Sequence, residues 1–207
     1  MNLNKSLEFF NPVNVDAPIH VIGIGAMGSR IAELLVRLGI QSINIWDMDT
    51  VDAHNITNQL YFNSQIGMQK TEALKNILLD INPQCKVKTH GEWKDNTLGG
   101  YIFLCVDNIE LRKQITEKCY NSEAVKGMFD CRMRLTDAQS YGANWKDEQQ
   151  NKVFLNSMDF SHEEAKDATP VSACGTTLSV ASTVVSTASF TVLSAAPSMA
   201  SSTSSNS

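Results

Sequence analysis

The chain alternates short, mainly apolar runs with longer segments in which apolar residues recur every three or four positions. Mainly apolar runs of this length predict buried parallel strands, and helical spacing predicts amphipathic helices. Such runs predict strands at residues 19–22, 42–46 and 101–106, with one more beginning at 127–130. The more polar segment 86–90 is predicted as a further strand. The predicted helices cover residues 29–38, 69–80 and 109–120. This alternation predicts an α/β fold: a Rossmann-like, doubly wound and mostly parallel sheet with helices on both faces.

The two ends of the chain differ from this middle region. We predict an N-terminal arm at residues 1–17, one folded domain at 18–193, and a Ser/Ala-rich, disordered tail at 194–207. Residues 179–192 are predicted to form either a buried helix or strands. No charged side chain occurs from residue 168 onwards, although the outer face of a helix in a globular domain normally carries charges. We therefore hypothesise that the natural C-terminus is altered here, for example by a frameshift.

The composition is that of a globular protein and argues against several classes of function. A hydrophobic fraction of 43% and a charged fraction of 19% fit a soluble domain with a sizeable core. The net charge of -5 argues against nucleic acid as a partner. We also expect neither a membrane span nor a signal peptide. The five cysteines are scattered without a CxxC pair, which argues against a tetrathiolate zinc site and favours a reducing, cytoplasmic compartment.

A glycine turn joins the first predicted strand to the first predicted helix. The spacing of Gly23, Gly25 and Gly28 lets the backbone turn tightly, approach phosphates and pack the helix on the strand. Asp47 follows the second predicted strand, where a carboxylate accepts hydrogen bonds from ribose hydroxyls. Asp49 is either a second residue of the nucleotide site or a turn former. These features predict a nucleotide site, and by themselves they fit NAD as well as ATP.

Three more polar residues stand at the boundaries of predicted elements. Lys70 opens the second predicted helix, where its ammonium either reaches a triphosphate or stays in solvent. Asp107 follows an apolar strand, and its carboxylate could bind magnesium, cap the helix that begins at residue 109, or do both. Arg112 lies one turn into that helix. The chemistry of Lys70 and Asp107 is that of a nucleoside triphosphate site.

Four motifs in this order and spacing resemble the ThiF/MoeB family of adenylating enzymes, whose fold is shared with the activating enzymes of ubiquitin-like proteins. They are GIGAMG (23–28), DMDTVDAHNITNQ (47–59), IGMQKTEAL (66–74) with INP (81–83) after it, and CVDNIELR (105–112). The segments 129–133 and 174–175 resemble the family more loosely. The resemblance implies that residues 18–193 form a ThiF-type domain. It also implies ATP-dependent adenylation, with magnesium, of the C-terminal glycine carboxylate of a small ubiquitin-like protein.

The resemblance assigns a role to each matching side chain. Asp47 would hold the ribose. Asp49 and the three glycines would contact the same nucleotide. Asn55 would lie beside the phosphates. Lys70 would neutralise the β- and γ-phosphate oxygens, and Asp107 would hold magnesium.

Two features of the sequence leave parts of this assignment open. Asn58 stands where the family commonly has an arginine that contacts the triphosphate. Either another cation supplies that charge, such as Arg30 or an arginine of a partner subunit, or the rate falls. Some members also use a cysteine to accept the activated carboxylate. Cys174 and Cys131 are the candidate nucleophiles, with a purely structural role as the competing interpretation of each, because a nucleophilic thiolate needs exposure and a lowered pKa.

Three functional hypotheses therefore stand. The first is an adenylating enzyme acting on a ubiquitin-like protein, expected to be a homodimer and to work with a conjugating enzyme or a JAB-type peptidase, as the family implies. The second is a catalytically degenerate, dimeric adaptor of the same family, which Asn58 and the unusual C-terminus favour. The third is an NAD-binding oxidoreductase, which the glycine turn and Asp47 alone would allow.

Overall fold

A computed structural model describes residues 2–3, 10–133, 138–159, 181 and 184–185. Its strands form one sheet, and their positions confirm the predicted α/β fold. The strands are β1 (Ile19–Ile22), β2 (Ser42–Trp46), β3 (Lys86–His90), β4 (Gly100–Leu104), β5 (Val125–Met133) and β6 (Ala138–Asn144). Within the sheet they lie in the order β3-β2-β1-β4-β5-β6. All neighbouring pairs are parallel except β5 and β6, which are antiparallel.

Helices cover both faces of this sheet, as predicted. The α-helices among the described residues are α1 (Ala26–Arg37), α2 (Lys70–Ile81), α3 (Ile109–Cys119) and α4 (Glu148–Asn156). One face of the sheet packs with α1 and α2 in a first apolar cluster that includes Ile45 and Phe103. The opposite face packs with α3 and α4 in a second cluster that includes Ile102 and Leu104. Alternate residues of β4 thus enter opposite clusters, which is why the strand is apolar throughout.

The pattern of apolar residues after Asp130 is too irregular to predict secondary structure. The structure shows that this region contains β6 and α4. Among the described residues, β6 pairs only with β5, at the edge of the sheet, and its exposed positions include the polar residues Gln139 and Ser140. α4 begins after Asp147, whose carboxylate accepts hydrogen bonds from the amides of Gln149 and Gln150. Phe154 then anchors this helix in the second cluster. One buried aromatic on a polar helix is a weak sequence signal.

The C-terminal segment contributes to the core at three described positions. Ala181, Val184 and Val185 are helical, and each belongs to the first cluster with at most 4% of its surface exposed. At these positions the helical alternative for residues 179–192 is therefore the right one. The predicted disordered tail at 194–207 and the proposed change of the C-terminus lie outside the described residues.

One cluster of polar side chains interrupts the apolar sheet in β1, β2 and β3. The indole Nε1 of Trp46 donates a hydrogen bond to His20 Nδ1 at 3.1 Å. The ring of His90 stacks on Trp46 with the centroids 4.0 Å apart, and His90 Nε2 lies 3.1 Å from Asn44 Oδ1. Burial, with the charges of His90 and Lys88, lowers the pKa of His20 to about 4. His20 is therefore a neutral hydrogen-bond acceptor in the folded protein.

This cluster predicts a pH-dependent stability. In the unfolded chain His20 titrates near its ordinary pKa of about 6.5, so between pH 6.5 and 4 the unfolded state binds a proton that the folded state excludes. The free energy of unfolding should therefore fall as the pH falls, by about 2–3 kcal/mol between pH 7 and pH 4.5 from this residue. His20→Gln, which retains an acceptor, should flatten the curve measured by urea unfolding. His54→Gln, at a side chain that is 79% exposed, is the control; equal pH slopes for His20→Gln and wild type would contradict the assignment.

The packing of the C-terminal segment is tested by shortening Val184. Val184→Ala removes apolar volume from a position that is 2% exposed and should lower the free energy of unfolding by about 2 kcal/mol. The melting temperature should fall by about 4–8 °C. Val153→Ala is the matched control, because Val153 is 61% exposed. Equal melting temperatures for the two variants would show that this segment does not pack on the core.

Candidate functional site

A cavity of about 510 Å³ opens where β1, β2 and β4 end. The strand order reverses between β1 and β4, and such a reversal is where open α/β sheets bind ligands. The volume lies within the range of about 300–1,000 Å³ that is typical of small-molecule sites. The glycine turn, the segment after β2, the start of α2 and the loop after β4 all contribute to its wall.

The glycines of the turn satisfy different steric requirements. Gly23 has a φ of +83°, and a Cβ there would lie 2.8 Å from the amide nitrogen of Val106. A Cβ on Gly28 would collide with the carbonyl oxygen of Gly23. Gly25 has nothing within 4 Å of the Cβ position, and it lines the cavity. Gly25 is also the N-cap of α1, and it has no side chain that could accept hydrogen bonds from the first amides of the helix. These amides therefore lie beside the cavity without a side-chain cap.

Asp47 links the glycine turn to the end of β2. Its Oδ2 accepts a hydrogen bond from the amide of Ile24, and its Oδ1 accepts one from the amide of Asp49, both at 2.9 Å. Tyr61 holds the same turn from the other side, since its hydroxyl donates to the carbonyl of Ile24 at 2.7 Å. Burial and the charges of Asp47 and Asp49 raise the pKa of Tyr61 well above its usual range, so it stays a neutral donor. The turn is therefore fixed by side chains on both flanks.

Lys70 is buried, which rules out the interpretation of a solvated lysine. It is the first residue of α2 and is 6% exposed. Its Nζ lies 2.9 Å from Asp49 Oδ2, and both residues line the cavity. The ammonium is thus held at the cavity wall by an acidic partner whose side chain is 58% exposed.

The loop after β4 separates the two roles that the sequence allowed for Asp107. Asn108 is the N-cap of α3, because its side-chain oxygen accepts hydrogen bonds from the amides of Glu110 and Leu111 at 2.9 and 3.2 Å. Asp107 is exposed and lines the cavity, and its carboxylate makes no hydrogen bond with another described residue. The capping role therefore belongs to Asn108, and the Asp107 carboxylate is available to a ligand or a metal ion.

The remaining residues of the 47–59 motif lie in different places. Asn58 and Gln59 line the cavity, and the buried Oε1 of Gln59 has no hydrogen-bond partner among the described residues. Asn55 is buried in a 3-10 helix (Ala53–Thr57), where its Oδ1 accepts from the amide of Asp52 at 2.8 Å, and it is not part of the cavity wall. Arg30 is also outside the wall and pairs with Glu33 at 3.2 Å. The phosphate roles of Asn55 and Arg30 stay predictions.

Cys131, which lines the cavity together with Cys105, does not have the properties of a thiolate nucleophile. Cys131 is 2% exposed. A hydrogen bond with Cys105 and burial raise its pKa well above the ordinary value, so the thiol stays protonated. This arrangement favours the structural interpretation of Cys131. Cys174 lies outside the described residues.

A buried ionic cluster beneath the cavity was not found from the sequence. Asp130, on β5, is fully buried and forms ion pairs with both Arg112 and Arg132. Arg112 also donates to the carbonyls of Val106 and Cys131, and it therefore holds the loop that carries Asp107. Burial lowers the pKa of Arg112 to about 10, which leaves it charged at neutral pH. The sequence signal that could have revealed the cluster is a charged residue, Asp130, within a mainly apolar strand.

The lining of the cavity is more acidic than a triphosphate site requires. Four carboxylates and two cations face it, and each cation already has an acidic partner. A polyphosphate would need positive charge from a divalent cation or from another chain in order to bind here. The described residues hold no group of three or more His, Cys, Asp and Glu side chains placed to bind a metal by themselves. The acidic lining residues are Asp47, Asp49, Glu92 and Asp107, and the cations are Lys70 and Arg112.

Comparison with known proteins gives a family and a set of similar structures. The model of the ThiF family matches residues 15–206. Ubiquitin-like modifier-activating enzyme 5 of Drosophila persimilis is 30% identical over 144 residues, which cover 58% of this chain and 36% of that protein. The chain thus spans about a third of the length of such curated relatives.

Two solved structures show the same fold at lower identity. The E. coli MccB structure with ATP has a TM-score of 0.68 at 16% identity, covering 87% of this chain and 57% of MccB. E. coli tRNA N6-threonylcarbamoyladenosine dehydratase, TcdA, has a TM-score of 0.59 at 22% identity, covering 92% and 90% of the two chains. Among the described residues, no helix is long and apolar enough to cross a membrane.

The buried ionic cluster predicts a large effect of a small substitution. Asp130→Asn retains the size of the side chain but removes the negative charge that pairs with the buried Arg112 and the partly buried Arg132. It should lower the free energy of unfolding by about 3–5 kcal/mol in a denaturant titration. Asp159→Asn is the control, because that side chain is 83% exposed and pairs with Lys113 only at 3.5 Å; its effect should stay below about 0.5 kcal/mol. A loss below about 1 kcal/mol for Asp130→Asn would mean that the cluster does not hold the site together.

Proposed function

Since the chain belongs to the ThiF family, we propose that it is an ATP-dependent adenylyltransferase that activates the C-terminal carboxylate of a small ubiquitin-like protein. The observation that carries the proposal is the meeting of three groups in one cavity at the carboxyl ends of the strands. They are the glycine turn with its helix N-terminus, the buried ammonium of Lys70 and the carboxylate of Asp107. Each suits a different part of a magnesium–nucleoside triphosphate.

The proposed step places a carboxylate oxygen of the substrate in line with the α-phosphorus of ATP. The new bond forms to the α-phosphorus as the bond to the bridging oxygen of the β-phosphate breaks, which gives an acyl adenylate and pyrophosphate. Because no proton has to be transferred, the protein contributes positioning and charge neutralisation. Gly25 and the first amides of α1 face the phosphates, Lys70 neutralises the leaving pyrophosphate, and Asp47 accepts from the ribose with the lone pairs that its two amide donors leave unused.

Magnesium fits the residues that are present. The carboxylate of Asp107 is exposed in the cavity and has no hydrogen bond to a described residue. Magnesium in nucleotide sites commonly binds one or two carboxylates and completes its shell with phosphate oxygens and water. It would supply the positive charge that the acidic lining of the cavity lacks. Asp107 is the protein ligand in this proposal.

The substrate class is supported by the named relatives rather than by the cavity itself. The curated relatives are activating enzymes of a ubiquitin-like modifier. The matched structures include MccB with ATP and a tRNA-modifying dehydratase, so the fold occurs with other acceptors. We propose a ubiquitin-like protein with a C-terminal glycine as the partner. A homodimer, and cooperation with a conjugating enzyme or a JAB-type peptidase, are part of the same proposal.

One observation favours a second candidate, a catalytically degenerate adaptor of the same family. Asn58 lines the cavity, and both cations of the lining are already paired with carboxylates. If the missing positive charge limits turnover, Asn58→Arg should raise the rate of adenylation. If the protein is an adaptor, Asn58→Arg should produce no adenylation while ATP still binds.

The proposal predicts ATP–pyrophosphate exchange that requires magnesium and a ubiquitin-like protein with a free C-terminal glycine. Removing that glycine from the partner should abolish the exchange. Asp107→Ala should abolish it as well, and Lys70→Ala should slow it by about 10²- to 10³-fold, as expected for a group that stabilises developing charge. Lys75→Ala is the matched control, since Lys75 lies on the same helix and pairs only with Glu72 at 3.8 Å.

The result that contradicts the proposal is equally specific. ATP binding without exchange, for a panel of ubiquitin-like proteins and for Asn58→Arg, would favour the adaptor. Failure to bind ATP at all would remove the basis of both candidates.

A further inference from the structure

We propose that Asp49 is a positioning residue: it holds the Lys70 ammonium at the phosphate end of the cavity and does not itself bind the nucleotide. This inference rests on the proposed function for the identity of the ligand. It differs from both roles that the sequence allowed for Asp49, a direct contact with the nucleotide and a turn former.

Asp49 contacts Lys70 through both its side chain and its main chain. Asp49 Oδ2 lies 2.9 Å from Lys70 Nζ, and the carbonyl of Asp49 accepts a hydrogen bond from the amide of Lys70 at 2.9 Å. The next residues continue the contact as an antiparallel bridge between Thr50 and Gln69. Asp49 therefore fixes the position of the first residue of α2 and the direction of its side chain.

A second set of contacts extends from Asp49 to the glycine turn. Its amide donates to Asp47 Oδ1, and Asp47 Oδ2 accepts from the amide of Ile24, both at 2.9 Å. The turn, the end of β2 and the ammonium of Lys70 are thus joined by consecutive hydrogen bonds through two carboxylates. The two groups proposed to face the phosphates, the turn and Lys70, are held at a fixed separation by Asp47 and Asp49.

Burial explains why Lys70 needs this partner. A lysine that is 6% exposed loses most of its hydration, and without a counter-charge its ammonium would turn towards solvent. Lysine also has a flexible stem, so a hydrogen-bonded partner determines where its ammonium lies. Asp49 supplies the charge from a side chain that is 58% exposed, so the pair keeps contact with water at the cavity.

Positioning and direct binding predict different nucleotide preferences. Lys70 faces the β- and γ-phosphates in the proposed site. A defect that acts through Lys70 therefore weakens the binding of ATP but leaves the binding of AMP unchanged. A carboxylate that binds the ribose or the base contributes equally to both nucleotides. The comparison of ATP with AMP therefore separates the two roles, and the background of Lys70→Ala shows whether Asp49 acts through the lysine.

The experiment is calorimetric titration of magnesium–ATP and of AMP into the full chain and its variants. Asp49→Ala should weaken the binding of ATP by about 10- to 100-fold and change the affinity for AMP by less than about twofold. Asp49→Asn, which retains an acceptor oxygen, should recover part of the loss. In the Lys70→Ala background, Asp49→Ala should have no further effect on ATP, because the two residues act as one unit. Glu72→Ala, next to the control lysine Lys75, should leave both affinities unchanged.

Three outcomes would overturn the inference. Equal losses for ATP and AMP would mean that Asp49 binds the nucleotide directly. Additive losses of Asp49→Ala and Lys70→Ala would mean that the two act independently. Tighter ATP binding by Asp49→Ala would mean that the carboxylate competes with the phosphates for the ammonium.

A chemical readout separates this inference from the proposed function. Mass spectrometry after brief treatment with acetic anhydride reports how accessible each lysine amine is, whether or not a nucleotide binds. Lys70 should react slowly relative to Lys75 in the wild type and several-fold faster in Asp49→Ala. If the wild type binds no nucleotide but Lys70 shows this change, the proposed function fails and the positioning role stands. If the reactivity of Lys70 does not change in Asp49→Ala, the positioning role fails.

Discussion

The geometry of the candidate site depends on the hydrogen bonds that the carboxylate of Asp47 accepts. This carboxylate accepts one hydrogen bond from an amide of the glycine turn after β1 and another from an amide of the segment after β2. The two strands are parallel neighbours, so their carboxyl ends lie side by side, but nothing in a parallel ladder fixes the loops that leave them. A charged acceptor that joins these loops gives short, strong bonds. Lys70 then depends on Asp47 indirectly, through Asp49.

The opposite side of the cavity depends on a second carboxylate, which is fully buried. Asp130 neutralises Arg112, and Arg112 holds the carbonyl that precedes Asp107. Lys70 and Asp107 therefore stand on two independently anchored sides of one cavity. This division matches the two needs of a triphosphate, an ammonium on one side and a carboxylate for the metal on the other. Such anchoring suits a reaction that depends on positioning more than on proton transfer.

The central part of the fold could be predicted from the sequence because its signals are local. A buried parallel strand is apolar on both faces, and β1 and β2 were predicted with their observed bounds for this reason. The more polar β3 also has its predicted bounds. α1 begins at Ala26, three residues before the predicted start, because glycine and small residues at a turn hide a helix start. β6 and α4 escaped prediction because an edge strand and a mostly exposed helix carry little apolar pattern.

The chemistry of the site could be predicted only in part. The residue types at the strand ends indicated a nucleotide site, and the glycine turn, Asp47, Lys70 and Asp107 do line one cavity or hold it together. Whether Lys70 is solvated or buried depends on Asp49, 21 positions away in sequence. Which of Asp107 and Asn108 caps α3 depends on backbone geometry. The pairing of Asp130 with Arg112 is a tertiary contact that no periodicity encodes.

The central claim is that the cavity binds a nucleoside triphosphate with magnesium. The most direct test is a calorimetric comparison of ATP, ATP with magnesium, and NADH on the full chain. The account predicts that ATP binds, that magnesium strengthens its binding because it offsets the acidic lining, and that NADH does not compete. Binding of NADH in preference to ATP, or ATP binding that magnesium leaves unchanged, would contradict it.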